Sequence, residues 1–327
     1  MNTALYPWQQ GVWQQWQTVL ASGTWPHAIL LAAESGTGRG VLTRQLAEVL
    51  LCQNSETQAC GLCHSCSLLK AGTHPDYHQV APAEAGKQIG VDAVRQANRW
   101  AMETSQLGGC RVIEIQYANR LGEAAANAVL KTLEEPPAGC FYLLTTDSTD
   151  MLLPTIVSRC MVWRQPEVSA EVLEQWGYGQ GLALHSDLAR LYRHSPLKLL
   201  DDAGVSAETH QEVLRLVNQY LQPPYLGMTE CVKALEKAGA EGLYWCHCLL
   251  MDVLKYQQGV GCDYWFHQEA QQTVVAVAQH VNTHVVIAQL TALQQLQSAL
   301  SLHTGLNQSL MIAQWLTEFS KGDVSVS

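Results

Sequence analysis

The stretch AILLAAESGTGRGVLTRQLAEVLL, residues 28–51, decides the fold. The six apolar residues from Ala28 to Ala33 read as a buried strand, the glycine-bearing ESGTGRG as a turn, and VLTRQLAEVLL as a helix by its spacing. Strand, tight turn and helix in that order frame a phosphate loop. A working loop has the pattern G-x-x-x-x-G-K-[ST]: backbone N–H groups cradle phosphates, the lysine reaches the β and γ oxygens, and the hydroxyl holds magnesium. Here Gly36 and Gly38 keep the turn, but the working groups are missing. Ala33 stands for the first glycine, Arg39 replaces the lysine with a bulkier planar cation, and Gly40 has no hydroxyl. Glu34 adds a negative charge where a phosphate would lie.

Working outward, Tyr77–Ala81, Arg111–Ile115, Phe141–Thr146 and Met161–Trp163 read as further strands, and VDAVRQANRWAMET (91–104) and GEAAANAVLKTLEE (122–135) as helices between them. Pro136 and Pro137 stop the second helix. Buried strands alternating with helices predict an α/β domain whose parallel sheet is covered on both faces, over residues 1–165. An ATPase on this frame places a magnesium-binding Asp and a catalytic Glu after a later strand. After Arg111–Ile115 come Gln116 and Tyr117, which can neither hold magnesium nor activate water. Glu114 is read as a lone, half-exposed strand carboxylate. Two independent losses point to an ATPase frame without ATPase chemistry.

Beyond Gln165 the strand signal ends. EVLEQW and SDLARLYRHSPLKLLDDAG form a small helical unit over 166–205, and six helical segments from HQEVLRLVNQYL onward predict a bundle over 206–320. The tail 321–327 is expected to fray.

Length and composition bound the function. The 327 residues, 47% hydrophobic and 15% charged, suit two or three globular domains. No run of eighteen apolar residues could span a bilayer, and MNTALYPWQQGVWQQW lacks the form of a signal peptide, so the expected location is cytoplasmic. Of the net charge of −10, residues 1–165 contribute 11 Lys/Arg against 13 Asp/Glu, and residues 166–327 contribute 8 against 16. The second half therefore repels a phosphate backbone, and any DNA contact belongs to the first.

Four of the eleven cysteines cluster: Cys60-x-x-Cys63-x-x-Cys66, with Cys52 upstream. Four thiolates suit tetrahedral zinc, and two-residue spacers let a turn gather consecutive ligands. An iron–sulfur reading lacks the x₃-C-P continuation after Cys66. His64 reads as a solvent-facing turn residue. A closed set of four ligands implies a structural metal. The other seven, Cys110, Cys140, Cys160, Cys231, Cys246, Cys248 and Cys262, read as small buried hydrophobes.

GTHPDYHQVAP (72–82), NAVLKTLEEPP (127–137), LLTTD (143–147) and TIVSRC (155–160), in that order, closely resemble the bacterial clamp-loader subunits of the AAA+ superfamily. Motor (gamma/tau) and delta-prime subunits share these strings, and the degenerate phosphate loop favours the delta-prime branch. The resemblance implies an AAA+ domain with an inserted zinc module, a helical lid and a collar that oligomerises. It also implies a non-hydrolysing role beside motor and delta subunits, loading a sliding clamp onto primed DNA as part of the DNA polymerase III holoenzyme. By the same resemblance Cys52, Cys60, Cys63 and Cys66 hold zinc, no nucleotide binds, and Arg159 is an arginine finger reaching a neighbour's ATP site. Thr146 falls near sensor 1 and Lys198 near sensor 2. Two competing readings are an active motor ATPase, opposed by Arg39, Gly40, Gln116 and Tyr117, and a zinc-bearing nucleic-acid-binding regulator. The second needs a basic face with stacking aromatics, which residues 52–66 lack.

Overall fold

The computed structural model describes residues 4–84, 86–182, 184–201, 206–302 and 305–322. The chain divides into two compact units, Met1–Glu167 and Val168–Ser327. The expected boundary at residue 205 and the last five residues of the tail lie outside the described residues.

In the first unit α1 (Gln10–Ala21) precedes β1 (Ala28–Ala32), and α2 (Arg39–Leu50), α3 (His64–Ala71), β2 (Tyr77–Val80) and α4 (Val91–Met102) follow. The unit continues through β3 (Arg111–Ile115), α5 (Glu123–Glu134), β4 (Cys140–Thr146), the short α6 (Pro154–Val157) and β5 (Met161–Arg164). The strands form one parallel sheet in the order β2-β3-β4-β1-β5. Side chains alternate across a strand, so each strand feeds two cores. Ala28 and Leu30 join Ile113, Ile115, Tyr142 and Leu144 under α4 and α5. Ile29 and Leu31 join Val112 and Leu143 under α1 and α2, where Trp16 is fully buried and meets Trp13, Trp25 and Trp163 edge-on. The loops after β1, β3 and β4 leave the same edge of the sheet, where parallel α/β sheets place their ligand sites.

One strand residue departs from expectation. Glu114 is fully buried rather than half-exposed, because three side chains satisfy its carboxylate. Thr43 of α2 donates at 2.7 Å, Gln79 at 2.8 Å, and Tyr77 through its hydroxyl. Burial and the adjacent Glu114 push the Tyr77 phenol well above its ordinary pKa, which keeps it a donor.

The second unit is helical. It begins with α7 (Ala170–Gly179), α8 (Ser186–Leu191) and α9 (Lys198–Asp201). α10 (Ala207–Tyr220), α11 (Met228–Gln257), α12 (Gln271–His280), α13 (Thr283–Leu302) and α14 (Gln308–Gly322) complete it. α11 is the hub, packed on α10, α12, α13 and α14 and burying Trp245, Cys246, Cys248, Leu249 and Val253. Two of the six expected bundle helices run end to end within it, broken at Gly239, whose φ of 61° and ψ of −138° suit glycine alone. α14 runs through Gly322, with Phe319 packed edge-on against Trp315. Of the seven cysteines read as buried, Cys110 and Cys262 are partly exposed; Cys262 starts a short surface turn, and Cys110 donates its thiol to Leu50 O. Among the described residues no helix is long and apolar enough to cross a membrane.

Candidate nucleotide and metal sites

The phosphate loop keeps its shape. Gly36 and Gly38 both adopt positive φ, 86° and 78°, and Gly38 caps α2. Its interior is filled by the protein itself. Arg39, with only 8% of its side chain exposed, folds inward to donate to Ala33 O at 2.5 Å and to Asp147 Oδ1 at 2.7 Å. Its guanidinium lies 4.4 Å from the centre of the Tyr117 ring, a cation–π contact. Arg39 and Tyr117, the residues standing where a lysine and a catalytic carboxylate would be, are thus packed on each other. Asn119 donates to the other Asp147 oxygen at 3.0 Å, and the Tyr117 N–H to Thr145 Oγ1 at 3.1 Å. Gln116 engages through its backbone, donating to Val80 O.

The loop is also covered from outside. Trp8 Nε1 donates to Thr37 O at 2.8 Å and Gln9 Nε2 to Gly38 O at 2.8 Å. Tyr6 stacks on Trp8, and a Cβ placed on Gly38 would lie 2.5 Å from the Tyr6 ring. Nothing about Tyr6, Trp8, Gln9 or Asn119 marks them locally in the sequence as partners of the loop. The one usable signal was Asp147, inside LLTTD, whose charge asks for a cation.

The four clustered cysteines converge, their sulfurs all within 4.8 Å of one another. Backbone amides point at the sulfurs: Cys60 N at Cys52 Sγ (3.4 Å), Cys63 N at Cys60 Sγ (3.3 Å) and Cys66 N at Cys63 Sγ (3.4 Å). Amide donors favour thiolates, and those from Leu62 and Cys63 bring the Cys60 thiol down to about 6. Burial, with the neighbouring sulfurs, pushes Cys66 up to about 12. Four sulfurs this close repel one another as thiolates, and a central cation removes that repulsion, so the donor set fits a soft or borderline metal. His64 is exposed at the start of α3 and stands outside the set.

Arg159 follows α6, half-exposed, with Nη1 donating to Thr155 O at 3.0 Å and Nη2 2.5 Å from Glu134 Oε1. Thr146 is buried and donates to Ser148 O, while Thr145 accepts the Tyr117 N–H and Asp147 pairs with Arg39. Lys198 is exposed at the start of α9 in the second unit.

Residues 8–168 match the family model for the DNA polymerase III delta subunit, and residues 210–321 the model for that subunit's C-terminal region. DNA polymerase III subunit delta-prime of Yersinia pestis is 31% identical over 98% of both chains, and that of Escherichia coli 31% identical over 95% of this chain and 94% of its own. The Haemophilus influenzae subunit is 44% identical over 53% of each. A DNA polymerase III gamma subunit-related protein from Thermotoga maritima superposes over 95% of this chain with 17% identity and a TM-score of 0.43. The chain belongs to the DNA polymerase III delta-prime subunit family.

Proposed function

We propose that this chain is a non-hydrolysing subunit of a bacterial replicative clamp loader, working with motor (gamma/tau) and delta subunits to place a sliding clamp on primed DNA. Family membership supports the assembly. The observation that carries the passive role is the Arg39–Asp147 pair stacked on Tyr117, which occupies the loop where nucleotide phosphates would bind. Binding ATP there would break a largely buried ion pair and displace the Tyr6–Gln9 cover, with no lysine, hydroxyl or paired acids to compensate. Calorimetry with magnesium and ATP should show no binding; micromolar affinity would refute the reading.

In this proposal residues 1–165 form the AAA+ domain, 166–205 the lid and 206–320 the collar. The protein is cytoplasmic. Cys52, Cys60, Cys63 and Cys66 hold one zinc ion, which cross-links the segment between α2 and α3 and takes no part in a reaction.

Arg159 acts in trans. Phosphoryl transfer builds charge on the γ-phosphate oxygens, and an arginine from a neighbouring subunit stabilises it, by factors on the order of 10³–10⁵ in GTPases. Leaving Glu134 costs little, since an exposed ion pair contributes roughly 0–1 kcal/mol. Arg159→Ala and Arg159→Lys should assemble normally with motor and delta subunits yet load clamps slowly, because a lysine cannot reproduce the planar fork. Wild-type loading by the alanine variant would return Arg159 to an ordinary surface residue.

A further inference from the structure

In the Val168–Ser327 unit, three histidines far apart in sequence meet in a row. His185 caps the N-terminus of α8, His210 sits in the first turn of α10, and His267 lies in the loop between α11 and α12. His210 and His267 are fully buried, and His185 keeps 15% of its side chain exposed. Asp252 Oδ2 is 2.9 Å from His267 Nδ1, His267 Nε2 is 3.3 Å from His210 Nε2, and His210 Nδ1 is 3.3 Å from His185 Nε2. At the far end His185 Nδ1 accepts the N–H of Leu188 at 3.4 Å.

Both ends of this row have a fixed polarity. The Asp252 carboxylate already accepts the N–H groups of Phe266 and His267 and the ammonium of Lys255, so towards the ring of His267 it can only accept. The Leu188 N–H can only donate. Three neutral imidazoles between them carry one proton each and have four links to complete. A single arrangement completes all four. His267 carries its proton on Nδ1 and gives it to Asp252, His210 carries its own on Nε2 and gives it to His267, and His185 carries its own on Nε2 and gives it to His210. The free Nδ1 of His185 then receives Leu188. Any further proton leaves two donors facing each other at one link.

We infer that this row is a proton-counting clasp, joining α8 and the 266–270 loop to α10 and α11 while all three rings are neutral and opening when one is protonated. The surroundings agree. Among the described residues the charged groups around it are Glu174 of α7, Asp187 and its ion-pair partner Arg190 of α8, Glu269 of the loop, and Asp252 and Lys255 of α11. Burial outweighs Asp187 and Glu269 and holds His185 below the ordinary histidine range. Burial, with His267 and His185 beside it, takes His210 down to about 2. The closed form therefore takes up protons less readily than the open one. The clasp is at full strength above about pH 6.5 and weakens as pH falls below it. The entry point is His185 Nδ1, which has Glu269 Oε2 3.6 Å away to receive a new N–H. Protonation there exchanges the α8 cap for that ion pair. Asp187, accepting the N–H groups of Glu269 and Ala270, remains as a tether, so the opening stays local.

Nitrogen-15 NMR of the full chain with labelled histidine reads the tautomers directly. At neutral to mildly alkaline pH, His267 should be protonated at Nδ1 and both His210 and His185 at Nε2; any other pattern overturns the polarity. Hydrogen exchange, corrected for its intrinsic pH dependence, should then show the Leu188 amide losing up to about tenfold in protection per pH unit below the ordinary histidine pKa. The core amides of α11 should keep theirs. His185→Asn preserves an acceptor for Leu188 without a titrating ring, so its protection should stay flat over the same range. A flat wild-type profile, or an unchanged slope in the variant, would sink the inference, and the wild-type NMR decides the matter even if the variant fails to fold.

Discussion

Helix α2 has a ligand loop at each end, and the two have met opposite fates. At its N-terminus the phosphate loop is filled by the chain's own Arg39 and covered by Tyr6, Trp8 and Gln9. Beyond its C-terminus Cys52 begins a cage of four sulfurs close enough to share one metal ion. The difference is electrostatic. A phosphate site is lined by donors and attracts anions, so one buried arginine paired with a nearby aspartate can replace the guest and its counter-charge together. Four thiolates are like charges, and a cation held among them would remove their repulsion.

The strongest way to break this comparison is at the cage. Cys63→Ser should loosen the metal and destabilise the segment between α2 and α3, by an amount that is a substantial part of the roughly 10–16 kcal/mol typical of structural zinc in small domains. Elemental analysis should find zinc in the native protein and much less in the variant. Because thiols must shed their protons to bind a metal, affinity should fall as pH is lowered, which a metal-retention titration reads directly.

Next in size is Arg39→Ala, which strands Asp147 and opens a void beneath Tyr117. Removing one partner of a buried pair costs about 3–5 kcal/mol; with Asp147 partly exposed, roughly 2–4 kcal/mol is expected in denaturant unfolding. No affinity for ATP should appear, since the cover remains. Gly38→Ala should cost about 1–3 kcal/mol, from a left-handed backbone and the displaced Tyr6 ring. Unchanged stability in that variant would mean the N-terminal cover is loose. The smallest effect belongs to Glu134→Ala, which frees Arg159 at a cost of under about 1 kcal/mol, read from the same unfolding curves.

Much of this was legible because it depends on local spacing. The five strands, the glycine turn and the cysteine cluster are each written within a few residues, and the missing lysine, hydroxyl and acids at Arg39, Gly40, Gln116 and Tyr117 are visible by simple comparison. Glu114 was misjudged because a strand carboxylate reads as exposed until its partners are known. Thr43, Tyr77 and Gln79 come from one helix and one strand, 71, 37 and 35 residues away.

The same division separates what the two sites owe to each level. Sequence by itself determined that the loop lacks the lysine, the hydroxyl and the paired acids and that four thiols lie close along the chain, since both are matters of residue type and short spacing. Only the tertiary structure decided which side chains lie at the loop. The parallel order β2-β3-β4-β1-β5 brings the end of β4 beside the end of β1, and so sets Asp147 against Arg39 across 108 residues of chain. The histidine row likewise exists only because α8, α10, α11 and the 266–270 loop pack together. Hydrogen bonds and ion pairs between distant segments depend on where the backbone has been carried, and no local pattern of residues encodes that position.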